Sequence, residues 1–330
     1  MKDIGARVGL LAGGVRERLR NEPAWRLLAL LCVFVVACGM LLPNYLGARL
    51  LPDLCADAAL PGIAAVGVVF VLACGSIDLS IGSLAACSSL VVASSVRAGA
   101  PPGLAILAGF ASGVTSGLAL GWLVRASRVP AFVASLGAMF ALRASALAMA
   151  EESIAIDEAR FAAWSGAALD LGGGRWRPAA GLFVLVVVAG HLLLSRWRAA
   201  REALVVGADE QAARQAGVDP GATRLAMHAV AGACGGLAGV ALALSSSAGS
   251  SIGGVALELD AIACAVVGGA SLSGGRASVP GAALAALFFA ALARALQFAG
   301  LSEAGLGRLC AAALFFGFLV FDHAVARRRA

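Results

Sequence analysis

The feature that most constrains this chain is a succession of apolar segments, many of them long enough to cross a lipid bilayer. They lie at about residues 25–43, 54–74, 82–97, 101–124, 130–150, 179–195, 224–246, 258–270, 279–298 and 306–322. A transmembrane helix needs about 20 mostly apolar residues, and only helices and closed barrels satisfy the backbone inside hydrocarbon. The pattern therefore predicts an all-α polytopic membrane protein with about ten transmembrane helices.

The composition excludes a soluble domain of this size. Hydrophobic residues make up 61% of the 330 residues and charged residues only 13%, whereas soluble domains keep about a quarter of their residues charged. The net charge of +6 comes from basic residues scattered at the ends of apolar segments, so the expected partner is the lipid membrane and not nucleic acid. The eight cysteines include no CxxC pair, and neither a metal nor a cofactor is expected.

The distribution of lysine and arginine predicts the orientation of the chain. With a cytoplasmic N-terminus and ten crossings, seventeen of these residues fall in cytoplasmic segments, five fall outside and three lie in spans. The positive-inside rule then places both termini in the cytoplasm of a multi-pass protein of the cytoplasmic (inner) membrane. We expect a basic cytoplasmic segment at 1–24, a transmembrane domain at 25–323 and a basic tail at 324–330. The acidic segment at 151–178 faces out, either as a solvated loop or as a dock for an extracytoplasmic partner.

A polar interval at about residues 196–224 contains a predicted short helix on the cytoplasmic side. Residues 209–215 favour helix, Asp209 can cap its start, and Gly217 and Pro220 end it. A helix of two turns is marginal in water by itself. We therefore expect it to pack on a protein surface and to dock a partner.

A second polar stretch, GSIDLSIGS at 75–83, interrupts the apolar pattern. Its polar side chains are Ser76, Asp78, Ser80 and Ser83. A carboxylate at the edge of the hydrocarbon is costly unless it is hydrogen-bonded or hydrated. Two compatible explanations are open: Asp78 caps the helix that follows, or the stretch is a broken helix that lines a solute path.

A third feature is a glycine-rich turn within the segment 258–281. The residues of interest are Gly268, Gly269, Gly274, Gly275 and Arg276. Such glycines allow a tight turn or close packing of backbones, and Arg276 is either a positive-inside anchor or a ligand. The chain has a single lysine, Lys2, and no G-x-x-x-x-G-K-[ST], so it has no P-loop. It also lacks an HExxH motif, and no enzyme activity is expected.

Four stretches resemble the membrane permease subunits of ATP-binding cassette (ABC) importers, in the branched-chain-like superfamily that includes ribose and other monosaccharide permeases. GSIDLSIGSLAA (75–86) is similar to the family's GGIDLSVGS signature, and EALVVGADEQAARQAGV (202–218) resembles its cytoplasmic segment. ELDAIACAVVGGASLSGGRASVPGA (258–282) follows the family's ELDAIA block, and VPAFVASLGAMFALR (129–143) also fits. The resemblance extends over about residues 40–320. Two residues depart from the pattern: Ser76 replaces a glycine, and Leu120 replaces an asparagine.

The resemblance implies an importer-type ABC permease fold without an ATPase site of its own. It implies three partners: an ABC ATPase subunit, an extracytoplasmic solute-binding protein, and a second permease subunit in a homodimer or heterodimer. The residues that would couple the chain to the ATPase are Asp209, Glu210, Ala212, Ala213 and Gly217. The expected cargo is a monosaccharide or a similar small polar solute. A nucleoside, amino acid or autoinducer-like cargo, or a stand-alone secondary transporter, is the alternative.

Thiol labelling tests the predicted topology. In a cysteine-free background, single cysteines at Ser165 and Ala212 should react with an impermeant reagent from opposite sides of the membrane, because the crossing count separates the two segments. Intact and inverted vesicles supply the two directions of access. Labelling of both positions from the same side would contradict the topology.

Overall fold

The computed structural model describes residues 23–127 and 129–301, and residues 309, 310, 313 and 317. Nearly all of the predicted basic segment 1–24, most of the predicted span 306–322 and the whole tail 324–330 lie outside the described residues.

The described part of the chain is mainly helical. Its helices are α1 (Pro23–Leu41), α2 (Leu50–Asp57), α3 (Ala59–Ala73), α4 (Ile81–Arg97), α5 (Pro102–Ser127), α6 (Ala131–Met149), α7 (Ala159–Ser165), α8 (Pro178–Arg196), α9 (Arg198–Ala208), α10 (Glu210–Gln215), α11 (Pro220–Ser246), α12 (Leu257–Val267) and α13 (Val279–Phe298). Its strands are β1 (Ser153–Ala155), β2 (Leu169–Leu171), β3 (Gly174–Trp176) and β4 (Ala248–Ser250), which pair antiparallel as β1 with β4 and β2 with β3.

Six of the described helices are long and apolar enough to span a membrane, namely α1, α5, α6, α8, α11 and α13. Helices α2 and α3, bent by 56° at their junction, make a seventh span if they are taken together. The chain is therefore a polytopic membrane protein, as predicted, although the predicted count of ten spans is not confirmed. Helix α12 has only 11 residues, which extend about 16 Å, or half of the hydrocarbon thickness. The predicted span at 258–270 is thus not a spanning helix.

Helix α11 forms the centre of the bundle and packs on α3, α4 and α5. Its contact with α5 is a crossing of glycines in which backbone meets backbone. A Cβ atom on Gly113 would lie 2.5 Å from the Gly232 carbonyl oxygen and from the Gly236 Cα atom. Small residues let helices approach this closely in lipid, where packing drives their association.

Loops that the topology places on one side of the membrane are neighbours in the structure. On one end, Arg125 pairs with Asp219 at 3.1 Å, although they are 94 residues apart. On the opposite end, β1 from the segment 151–178 pairs with β4. The two pairs lie at opposite ends of α11, since Asp219 precedes its first residue and β4 follows its last. We call the end with Arg125 and Asp219 the inner end, and the other the outer end.

The first unusual crossing combines an extended segment with a helix. After α3, residues 76–80 are neither helix nor strand. Ser76, Asp78 and Ser80 are buried in alternation with half-buried Ile77 and Leu79, which is the two-residue period that an extended chain shows. Helix α4 then begins beside the middle of α11, where a Cβ on Gly235 would lie 3.2 Å from Ile81.

In the second unusual crossing the irregular chain lies toward the outer end and the helix toward the inner end, which is the reverse of the first crossing. From β4 the chain descends without helix to α12, and a Cβ on Gly254 would lie 2.6 Å from the Gly82 carbonyl oxygen. Helix α12 then continues to the inner end, where Gly268 packs on Gly281 and Ala282 in the first turn of α13. The starts of α4 and α12 therefore meet near the middle of the bundle.

Candidate functional site

Two consecutive helices, α9 and α10, cover the inner end of the bundle. We call them the α9–α10 pair. Only α10 was expected from the sequence, yet α9 is longer and is amphipathic, with Ala200, Ala203 and Val206 buried on one side. This spacing of three residues, inside RAAREALVVGA, is the signal that could have predicted α9.

The ends of α10 match the sequence prediction. The Asp209 side chain accepts hydrogen bonds from the backbone N–H groups of Gln211 (2.8 Å) and Ala212 (3.0 Å), and so caps the helix. At the other end Gly217 has a φ of +81°, and the Val218 N–H donates to the Ala213 carbonyl at 3.0 Å. This Schellman arrangement requires a left-handed residue at Gly217.

Glu210 binds α10 to the first turns of α11. Its carboxylate accepts a hydrogen bond from Arg214 at 2.7 Å and a short one from Arg224. Arg224 first, and Arg214 second, lower the pKa of the Glu210 carboxyl below its ordinary value, because both guanidinium groups stabilise the charged form. Glu210 therefore positions α10, and its carboxylate is already occupied by two arginines of its own chain.

The structure divides the predicted coupling residues into two groups. Ala213 is fully buried against the bundle, so it cannot contact a partner as the sequence-based assignment required. Ala212 and Gly217 are exposed, and so are Gln211 and Gln215, which the sequence analysis did not single out. The exposed residues of α10 and of its two ends, which are available to a partner, are Asp209, Gln211, Ala212, Arg214, Gln215, Ala216 and Gly217.

Four glycines join the α9–α10 pair to both unusual crossings. We call this group the glycine junction; its members are Gly75, Gly207, Gly274 and Gly275. A Cβ on Gly274 would lie 2.7 Å from the Gly207 Cα and 2.9 Å from the Gly75 nitrogen. The Gly275 N–H donates to the Ala73 carbonyl at 3.1 Å. The end of α9 thus touches the end of α3 and the turn after α12 through backbone atoms.

The glycine-rich turn is built for this contact and holds no ligand-like arrangement among the described residues. Gly269, Gly274 and Gly275 all have positive φ, which glycine adopts without the strain of a side chain. Gly268 packs directly on the backbone of α13. The Arg276 side chain is exposed at the inner end, while its carbonyl accepts the Ser271 N–H at 3.0 Å. This position fits the anchor interpretation of Arg276.

The polar stretch at 75–83 is buried, and Asp78 makes its main contacts. One oxygen of Asp78 accepts the Ser80 N–H (2.8 Å) and the Ser80 hydroxyl (2.7 Å). The prediction that Asp78 caps α4 is wrong: Ser80 occupies the N-cap position, and no side chain caps the helix there. Asp78 stands two residues earlier, where its carboxylate closes a local turn in the extended segment.

His228 of α11 is the functional candidate that the sequence analysis missed. Its Nδ1 atom lies 3.6 Å from the second Asp78 oxygen, and both residues are buried. The two positions are 150 residues apart in the sequence, so no local pattern links them. The two departures from the family pattern are tolerated: Ser76 does not require positive φ, and Leu120 is buried against Val124 and Ala134.

The chain was then compared with known proteins. A family profile described as "Branched-chain amino acid transport system / permease component" matches residues 51–320. No solved structure gives a significant match.

Three similar proteins from the curated set illustrate the match. The inner membrane ABC transporter permease protein YjfF of Escherichia coli K12 is 30% identical over 227 residues, which cover 68% of this chain and 69% of that protein. The ribose import permease protein RbsC of the same strain is 30% identical over 283 residues, covering 84% and 86%. The L-arabinose ABC transporter permease protein AraH of Azospirillum brasilense is 31% identical over 284 residues, covering 83% and 81%. The resemblance to ribose-type permeases is confirmed.

Replacement of Asp78 tests the role of the buried stretch. Asp78→Ala removes two hydrogen bonds to Ser80 and leaves His228 facing a void, so we expect a loss of about 1–3 kcal/mol in unfolding free energy and a larger proportional loss of solute uptake. Asp78→Asn keeps one acceptor oxygen for Ser80 and is the matched control for stability. Uptake and thermal unfolding are measured on the same purified variants. Normal uptake by Asp78→Ala would remove any functional role for this carboxylate.

Proposed function

The chain belongs to the branched-chain amino acid transport system permease family, and from this premise we propose that it is the membrane-spanning subunit of an ATP-driven ABC importer. A subunit of this kind moves solute but hydrolyses no ATP itself. Its energy comes from an ABC ATPase subunit, and its solute is delivered by an extracytoplasmic binding protein. A second permease subunit, identical or different, completes the pore.

The observation that carries this proposal is the exposed surface of α10 at the inner end of the bundle. A helix of six residues does not persist by itself in water, yet α10 is capped by Asp209, ended by Gly217 and tied down by Glu210. Its outward surface carries small residues, two amides and the exposed Arg214, and no large apolar side chain. A helix that is held rigidly and exposes mainly short side chains is suited to insertion into a groove of a partner.

A cleft beside α10 offers a binding pocket for a side chain of the partner. It has a volume of about 400 Å³, and its lining includes Arg198, Glu202, Gly217, Asp219 and Thr223. The lining offers both charges and a hydroxyl, so a polar side chain of the ATPase subunit would find hydrogen-bond partners there. The inner end is then the cytoplasmic end, in agreement with the seventeen-to-five distribution of basic residues and with cytoplasmic termini.

The proposed cargo is a monosaccharide or a similar small polar solute. Two of the similar proteins are named for ribose and L-arabinose, so these pentoses are the first solutes to assay. An importer for a nucleoside, an amino acid or an autoinducer-like sugar derivative is the second candidate, because the family profile itself is named for branched-chain amino acids.

Substitution at Gly217 tests the coupling role. A Cβ at this position meets open space within the chain, so the effect of Gly217→Val comes from its positive φ, at about 1–2 kcal/mol, and from clashes with a partner. We expect normal membrane insertion, weaker co-purification of the ATPase subunit and loss of solute-stimulated ATP hydrolysis in proteoliposomes. Glu210→Ala should have the same effects in milder form.

Gly99→Val, just after α4, is the matched control and should couple normally, because Gly99 also has a positive φ and its Cβ would meet open space. If Gly217→Val binds its ATPase and transports as the wild type does, α10 is only a solvated helix. The stand-alone transporter would be favoured only if uptake also proceeded without an ATPase subunit.

A further inference from the structure

Helix α12 places two carboxylates in its first turn, near the middle of the membrane. Glu258 and Asp260 follow the start of the helix at Leu257. The opposite end of α12 lies against Gly281 in the first turn of α13, ten residues and about 15 Å away. Glu258 therefore lies about half of the hydrocarbon thickness away from the inner end of the bundle.

The Glu258 carboxylate points at the start of α4. A Cβ on Gly82 would overlap its Oε2 atom, so the glycine is what admits the carboxylate to this position. Within the described residues Oε2 accepts no hydrogen bond and forms no ion pair. An ionised group at this depth is costly unless water, a ligand or a counter-charge solvates it.

A second unpartnered polar atom lies in the same helical turn as Gly82. The Ser83 side chain is 1% exposed, and its hydroxyl has no hydrogen-bond partner among the described residues. The N–H groups in the first turn of α4 add donors and the positive end of a helix dipole. The first turn of α4 thus offers a hydroxyl and backbone donors next to Gly82, the residue that the Glu258 carboxylate meets.

The side of this meeting point that faces away from the bundle is not covered by other residues of the described chain. Val255 is 53% exposed and Leu259 is 62% exposed, on either side of Glu258 in the sequence. Arg143 reaches the loop from α6 and donates to the carbonyls of Ser251 (2.6 Å) and Gly253 (3.1 Å). The guanidinium therefore holds the descending chain in place, and in the described part of the chain it forms no ion pair with Glu258.

We propose that Glu258 and Ser83, brought together by the starts of α12 and α4, form a contact site for a neutral polyhydroxylated solute in the middle of the membrane. Solute hydroxyls donate to the Glu258 carboxylate and exchange hydrogen bonds with the Ser83 hydroxyl. Water occupies the same positions between transport events. The site rests on the proposed transport function and specifies which residues the solute touches.

Glu258→Gln is the sharpest variant, because it preserves shape and removes only the charge. We expect the KM for uptake of D-ribose or L-arabinose to rise about tenfold or more, as for the loss of a charge-assisted hydrogen bond, with co-purification of the ATPase subunit unchanged. Ser83→Ala should raise KM by a smaller factor. Glu151→Gln, in the exposed outer segment, is the matched control and should leave KM unchanged. A wild-type KM in Glu258→Gln would overturn the proposal.

A labelling experiment tests the site without knowledge of the cargo. In a cysteine-free background that retains uptake, Glu258→Cys should react with a charged methanethiosulfonate reagent, because the site is hydrated. Val188→Cys on the exposed side of α8 should not react, because it faces lipid. Absence of labelling at residue 258 would refute a hydrated path there. If the wild type binds no ATPase while residue 258 is labelled, the importer assignment fails and the hydrated site stands.

Discussion

Hydrocarbon offers no hydrogen-bond partner to a backbone, and two crossings of this chain are only partly helical. Their irregular halves are therefore held by polar side chains of α6. The Ser135 hydroxyl donates to the Ile77 carbonyl at 3.2 Å in the first crossing, and Arg143 donates to the carbonyls of Ser251 and Gly253 in the second. This requirement explains Ser135 and Arg143, two of the three polar residues of the apolar helix α6. Helix α6 thus supports both broken crossings.

The broken crossings also explain where glycines are needed. Gly82 and Gly254 allow the starts of α4 and α12 to meet. The glycine junction connects the inner ends of the two broken crossings with the α9–α10 pair. Contacts between backbones contain no side chain that could bend to absorb a displacement, and packed interiors transmit strain. We infer that a partner acting on α10 would move the ends of α3 and α12 together, and with them the two segments that surround Glu258 and Asp78.

The sequence alone was sufficient for the elements with strong local signals. Apolar runs predicted the long helices, and Asp209 with Gly217 marked both ends of α10 correctly. Three features escaped because they depend on tertiary contacts. The run at 258–270 has the composition of a span but forms a half-helix of 11 residues, a distinction that periodicity cannot make. The role of Asp78 depends on Ser80 and on His228, which lies on a distant helix. Ala213, assigned to a partner by its place in a motif, faces the bundle instead.

The most direct test of this account is the substitution Gly207→Ala. Its methyl group would overlap the Ala73 carbonyl oxygen and lie 2.5 Å from the Gly275 nitrogen, so it forces the glycine junction apart without touching the exposed surface of α10. Uptake and ATPase co-purification are measured together, with Gly181→Ala as the control, because a Cβ on Gly181 meets open space. The account predicts that Gly207→Ala retains its ATPase subunit but loses uptake. Uptake at the wild-type rate would contradict it, since the α9–α10 pair would then act without the junction.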